Sequence, residues 1–296
     1  MRYLRFLILL VRRGSLSQKP FDFEADRRKG IDASYVSPEI IPKNNPLKRY
    51  LLRTSWGYSL MSNLAYLSNA AGMNKMYYIS EEHKLIYVRI LKSASTSVLK
   101  EFLPLIEPGL RNINFTEEQL DTLGYYHAKR EMTFAQQKYK KFAVVRDPFR
   151  RIVSVYLDLF DPDTPRFTYA TYWFGVLRKE MTFKNFIKTI SSIPPSLSGP
   201  HMAPQSRILS AAGELRDISI FRIEEPDDLE KFMAEYGMAI PHLNRQPMYD
   251  YRSFYDPETL SLVYKLYKDD IRLLGYTQQY GTLCNFIAWA YEKRAL

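Results

Sequence analysis

Residues 84–100 read KLIYVRILKSASTSVLK, and the fold hangs on how they are divided. The first seven, Lys84–Ile90, are rich in β-branched and aromatic residues and read as a buried strand. A polar loop of small hydroxyl residues follows, and an amphipathic helix is expected from Ser97 to Leu103. A strand feeding a helix N-terminus through a tight loop gathers backbone N–H groups and the helix dipole at one spot, which suits an anion. Ser93, Ser95, Thr96 and Ser97 add hydroxyl donors around Ala94, and Lys92 adds a mobile positive charge. The plain alternative is a Ser-rich turn with a hydroxyl cap. A Walker A loop needs glycines ahead of a terminal Lys-Ser/Thr pair. Here there is no glycine and Lys92 opens the loop, so one phosphate or a phosphosulfate fits better than a triphosphate.

Working outward, Lys141–Val145 (KFAVV) is a second short apolar strand, and Ile218–Ile223 (ISIFRI) a third. Arg146 sits at the carboxyl end of the second strand. Asp147 is placed to cap, and Pro148 suits the first position of a helix running to about Phe160. Ser154 lies about two turns along that helix, so Arg146 and Ser154 form a second candidate anion site. An Arg146–Asp147 ion pair and a buried Ser154 are the structural alternative. Further helices are expected at Thr116–Leu123, Phe134–Lys140, Thr182–Ile190, Asp227–Tyr236 and Asp256–Leu274, with a short one at Leu60–Leu67. Strands alternating with helices predict an α/β fold with a mostly parallel sheet, whose strand ends are where such sheets bind ligands.

Composition bounds the classes. In 296 residues, 46% apolar content rules out disorder, and only 12 glycines argue against glycine-rich repeats or linkers. The single cysteine, Cys284, excludes an internal disulfide and a cysteine zinc cluster. The net charge of +10 is uneven: residues 1–53 hold 12 Lys/Arg against 5 Asp/Glu, leaving +3 for the other 243. Residues 1–75 therefore read as a basic, largely irregular arm, 76–282 as the catalytic domain and 283–296 as a helical tail. Tyr3–Val11 is apolar but, at nine residues, well short of the roughly 20 a membrane span needs. It lacks a small-residue cleavage site, so it reads as a short amphipathic helix lying on a membrane or packing on the body, and the basic arm as meeting a membrane surface, an anionic polymer or only solvent. No acidic cluster has metal-ligand spacing and no nucleic-acid motif is visible, so neither partner is expected.

These motifs resemble the PAPS-dependent carbohydrate sulfotransferases, the Golgi-type family with chondroitin 4-O-like and uronosyl 2-O-like members. ILKSASTS is similar to that family's 5′-phosphosulfate loop, P-K-x-x-S/C-T, with Leu91 in place of the proline. VVRDPFRRIVSVY is similar to its 3′-phosphate motif, R-D/E-P-F-x-R-L-V-S-A-Y. HMAPQ (201–205), IFRIEEPDDLEKF (220–232) and YKLYKDDIRLLGY (264–276) follow in the family's order. The resemblance implies a three-layer, P-loop-NTPase-like fold and transfer of a sulfuryl group from PAPS to a carbohydrate hydroxyl, without a metal. It implies that Lys92 with Ser93, Ala94, Ser95, Thr96 and Ser97 cradles the 5′-phosphosulfate and that Arg146 and Ser154 hold the 3′-phosphate. Arg245 would close over the nucleotide. The membrane anchor and luminal disulfides of animal members are missing, which points to a cytoplasmic or peripheral protein, with the Golgi as the alternative.

Transfer to a hydroxyl benefits from a general base. His127, in GYYHAKREMTF, lies between the anion motifs where uronosyl 2-O-like members carry a histidine. His201, in GPHMAPQ, borders the expected acceptor cleft, and Glu131 is a further candidate. His83 reads as a surface residue and His242 as structural. For an anionic glycan, Tyr125, Tyr126, Tyr169, Tyr172 and Trp173 offer a stacking wall, and Arg150, Arg151 and Arg166 offer charge; aromatics at such spacings are more often core. Two other functions fit parts of the sequence: a nucleotide kinase, whose Walker B element KFAVVRD imitates, and a non-catalytic polyanion binder built on the arm.

Overall fold

The computed structural model describes residues 75–160, 177, 181–239 and 249–294. The expectations for Tyr3–Val11, the basic arm, Leu60–Leu67, Arg166, Tyr169, Tyr172, Trp173, His242 and Arg245 fall outside these residues. All three expected strands form. β1 (Tyr77–Ser80), β2 (Leu85–Val88), β3 (Lys140–Val145) and β4 (Ile218–Arg222) make one sheet in that order. The β2–β3 and β3–β4 pairs are parallel, whereas β1 runs antiparallel to β2. The sheet is therefore mixed, with its one antiparallel strand at the edge. The turn between β1 and β2 closes through Lys84, in the left-handed region at φ 50°.

The helices are α1 (Ser95–Phe102), α2 (Glu117–His127), α3 (Pro148–Phe160), α4 (Phe183–Ile190), α5 (Gln205–Ser210), α6 (Pro226–Ala234), α7 (Pro257–Leu273) and α8 (Thr277–Arg294). Residues of α1 and α6 cover one face of the sheet and those of α5 and the end of α7 the other, which explains why the central strands read as unbroken apolar runs. Because side chains alternate along a strand, Leu85, Tyr87, Phe142 and Val144 pack with Val98, Leu99 and Phe102 of α1 and Phe232 of α6. Ile86, Val88, Ala143 and Val145 face the other way, toward Ile208 and Leu209 of α5 and Leu274 just past α7. A Cβ on Gly124 of α2 would come within 2.7 Å of the Leu99 side chain, so only glycine lets α2 lie this close to α1.

The helix expected at Phe134–Lys140 does not form. Thr133 and Gln136 do make the reciprocal bonds of a helix start, Gln136 N–H to Thr133 Oγ1 (3.3 Å) and Thr133 N–H to Gln136 Oε1 (2.8 Å). The result is a single 3₁₀ turn at Gln136–Lys138. Lys140 then enters β3, its N–H bonded to Lys84 O at 3.0 Å. The strand pairing of the apolar run beyond it overrides the local signal.

The chain divides into two compact units, residues 72–155 with 199–296 and residues 1–71 with 156–198. The first holds the sheet, both strand-end motifs, His127 and His201. In the second, α4 starts at Thr182, whose hydroxyl accepts from Asn185 N–H, and buries Phe186, Ile187 and Ile190. Tyr156 stacks among Phe160, Phe183 and Phe186 there and donates its hydroxyl to Met181 O at 2.8 Å. Among the described residues no helix is long and apolar enough to cross a membrane.

Candidate active site

Parallel pairing of β2 with β3 sends their carboxyl ends to the same edge of the sheet, with Tyr87 opposite Phe142. Beyond Val88 the first chain turns away through a strained loop. Lys92 (φ 66°) and Ala94 (φ 55°) both occupy the left-handed region without being glycine, at a cost of about 1 kcal/mol or more each. That backbone lets α1 begin at Ser95 with no side-chain cap from Ala94. The Val98 N–H reaches Ala94 O at 3.1 Å, so the amides of Ser95, Thr96 and Ser97 precede the helical ladder. Three backbone donors at the positive end of a helix, with Lys92 earlier in the same loop, are an arrangement that suits an anion. Ser93 and Ser95 are buried, and Thr96 and Ser97 are half-buried.

The second motif is built differently. Asp147 caps α3 as its position implies, its Oδ1 accepting from Phe149 N–H at 2.9 Å. Its own N–H donates to Glu224 Oε1, also at 2.9 Å. Burial pushes the Asp147 carboxyl up to about 6, the Phe149 bond working against it and the Glu224 charge with it. The nearest guanidinium is that of Arg150, with Nε 3.8 Å from Asp147 Oδ2. Arg150 itself lies over the Tyr251 ring, 4.4 Å from its centre. With the Asp147 and Phe149 amides already bonded and Pro148 lacking one, the candidate anion donors here are side chains: Arg146 before the helix and Ser154, buried two turns along it.

The two motifs touch. Arg146 Nη1 donates to the Lys92 carbonyl at 3.2 Å. A second link runs through Gln205, which is wholly buried at the start of α5. Its Oε1 accepts from Ser93 Oγ (3.3 Å) and from Arg146 N–H (3.0 Å), and its Nε2 donates to Arg146 O (2.7 Å). On the opposite side β4 pairs with β3, Ile223 N–H bonding Val145 O at 2.9 Å. The Gln205 amide thus takes the place of a neighbouring strand where β2 has left, satisfying groups that would each cost about 1–3 kcal/mol if buried unpaired.

Arg151 makes a third link and corrects an expectation. Far from greeting a glycan, its side chain is buried. Its Nε donates to Leu91 O (3.0 Å), Nη1 to Ala203 O (2.9 Å) and Nη2 to Pro200 O (3.1 Å). One guanidinium therefore fastens the residue before Lys92 to both sides of His201. Tyr267 of α7 holds the same 199–204 segment through Met202 O at 2.8 Å. Asp270 of α7 accepts from the N–H groups of Gln205 and Ser206, each at 2.8 Å, and from Ser206 Oγ at 2.6 Å, which fixes the start of α5.

The structure thus joins Arg146 to the Lys92 backbone directly and to Ser93 through Gln205, and brings the His201 loop to them through Arg151. His127 has other company. It ends α2, mostly buried, with Nε2 3.3 Å from Glu107 Oε2 and its ring edge-on to Tyr126. His83 is half-buried in the β1–β2 turn, its Nδ1 3.0 Å from Ser80 Oγ. Tyr125 and Tyr126 are exposed. Tyr255 is core, stacked edge-on against Phe149 and bonded to its carbonyl at 2.9 Å.

Sequence reasoning missed what Gln205 and Arg151 do. Gln205 was visible as the last residue of HMAPQ, but its partners are remote in sequence. Arg151 stands next to Arg150 in the chain, and which of the two faces inward follows only from the helix being laid on the sheet.

The sequence model of the Sulfotransferase family matches residues 75–277. That span contains β1–β4, both anion motifs and the Gln205 and Arg151 links. Neither a curated protein nor a solved structure matches the chain.

Proposed function

The chain belongs to the sulfotransferase family, and on that premise we propose that it moves a sulfuryl group from PAPS to a hydroxyl of a carbohydrate. The observation that carries this reading is the 3.2 Å bond from Arg146 to the Lys92 carbonyl. It sets an uncapped helix start and a strand-end arginine side by side at one edge of the sheet, which supports their sharing one doubly phosphorylated nucleotide. The sheet with helices on both faces, and the anion loop between β2 and α1, support a P-loop-NTPase-like arrangement for this domain.

In the proposed reaction the acceptor oxygen forms a bond to sulfur as the bond from sulfur to the 5′-phosphate oxygen breaks. The electron pair stays on the phosphate, leaving 3′,5′-ADP. Lys92 and the amides of Ser95, Thr96 and Ser97 meet that growing charge, a preorganised stabilisation that water would provide less well. Arg146 and Ser154 take the 3′-phosphate, which sets PAPS apart from common adenine nucleotides. A base removes the acceptor proton. What supports His201 in that role is its loop, tied by Arg151 to the residue preceding Lys92. What supports His127 is its carboxylate partner, Glu107, beside the exposed Tyr125 and Tyr126. An anionic sugar chain suits the exposed face of Arg150.

The test is transfer itself, followed by mass spectrometry with PAPS and a panel of polysaccharides. A sulfated product from PAPS, and none phosphorylated from ATP, is the expected result. The reverse pattern would make the protein a kinase. His201→Ala is expected to lower kcat by about 10²–10⁴-fold while 3′,5′-ADP still binds; the same loss in His127→Ala alone would move the base there.

A further inference from the structure

We propose that Gln205 is a positioning residue that couples the two phosphate sites and so sets the preference for a doubly phosphorylated nucleotide. The inference rests on the proposed PAPS reading and deepens it. Gln205 touches neither expected phosphate position. Its carboxamide instead grips one residue from each motif: the Ser93 hydroxyl in the 5′ loop, and both backbone polar groups of Arg146 at the 3′ site.

Three features make the amide a rigid spacer. It is wholly buried, so water cannot substitute for a lost bond. Its backbone is fixed in turn, because Asp270 accepts from the Gln205 and Ser206 N–H groups. The loop it holds is strained at Lys92 and Ala94, and a strained backbone persists only where its surroundings over-determine it. Without the amide, the 5′ loop and the Arg146 strand end would each keep their own anion-binding groups but lose their fixed separation. A nucleotide with one phosphate needs one site only. A nucleotide with both needs the spacing, and pays for ordering it if the protein does not supply it.

The experiment compares dissociation constants of 3′,5′-ADP, 5′-AMP and 3′-AMP for the wild type, Gln205→Leu and Gln205→Glu. In the variants, 3′,5′-ADP is expected to weaken about 10-fold or more, from the loss of preorganisation. Both monophosphates should change by less than about 2-fold, so the wild type's preference for the bisphosphate collapses. Equal weakening of all three, or none, in folded variants would overturn the proposal. A merely structural glutamine would lower the melting temperature without moving the ratio. If neither variant folds, hydrogen exchange on the wild type decides: 3′-AMP should slow exchange of the 91–97 amides, and protection confined to the Arg146 side would refute the coupling. A wild type that ignores 3′,5′-ADP altogether would instead sink the PAPS reading, leaving the two failures distinguishable.

Discussion

The two helix starts at the edge of this sheet solve the same problem in opposite ways. α1 begins at Ser95 behind an uncapped, left-handed Ala94, and the amides of its first turn lie outside its own ladder. α3 begins at Pro148 with Asp147 bonded to the Phe149 amide. The first therefore offers backbone and dipole to an anion, whereas the second offers side chains. Backbone donors are fixed in place and cost nothing to reorganise when charge develops, so in the proposed transfer they suit the end of the donor where a bond breaks. Side-chain donors suit the phosphate that is only held. The first site should govern rate and the second affinity.

The sharpest way to break that contrast is Lys92→Ala, which should lower kcat by about 10²–10³-fold, as losing a charge-stabilising donor does elsewhere. Arg146→Ala should instead raise KM for PAPS by about 10-fold or more at little cost in kcat, since it removes binding common to ground and transition states. Steady-state kinetics at saturating acceptor would show it, and the same effect in both variants would erase the distinction.

Arg151→Met tests what keeps the two starts together. The carbonyls of Leu91, Pro200 and Ala203 lose their donor, the last of them buried, so stability should fall by about 3 kcal/mol, read by urea unfolding. A loss under about 1 kcal/mol would mean that other contacts hold the loops.

Asp147 makes the second start sensitive to pH. Burial lifts its carboxyl to about 6 in the folded protein, above the 3.8 of the free group. The folded state therefore binds that proton more tightly than the unfolded chain. The associated stability is fully present below about pH 4 and is lost as pH rises through 6, a change on the order of 1–3 kcal/mol. Asp147→Asn should flatten the melting temperature over that window, and an unaltered slope would remove Asp147 from the account. The smallest effect is expected at the first start: Ala94→Gly relieves a left-handed residue and should stabilise the fold by about 1 kcal/mol or less.

The same contrast shows what could be read without coordinates. Strands β2, β3 and β4 were legible because two-sided burial writes itself as an apolar run. The strand–turn–helix step at β2 and α1 was legible because a run of small hydroxyl residues stands between an apolar strand and an amphipathic helix. β1 escaped because four residues joined by a glycine-free turn carry little signal. At Phe134–Lys140 a true helix-start signal was outweighed by sheet pairing that local spacing does not encode. The Gln205 and Arg151 links were illegible for a related reason. Each joins segments some 50 to 110 residues apart, and nothing along the chain says that an amide will stand in for a missing strand.

The most direct measurement is a calorimetric titration of 3′,5′-ADP into the wild type, Lys92→Ala and Arg146→Ala. One molecule per chain should bind, and either substitution should weaken that single event. Two molecules per chain, or full wild-type affinity in either variant, would mean that the lysine loop and the arginine strand end do not share one nucleotide.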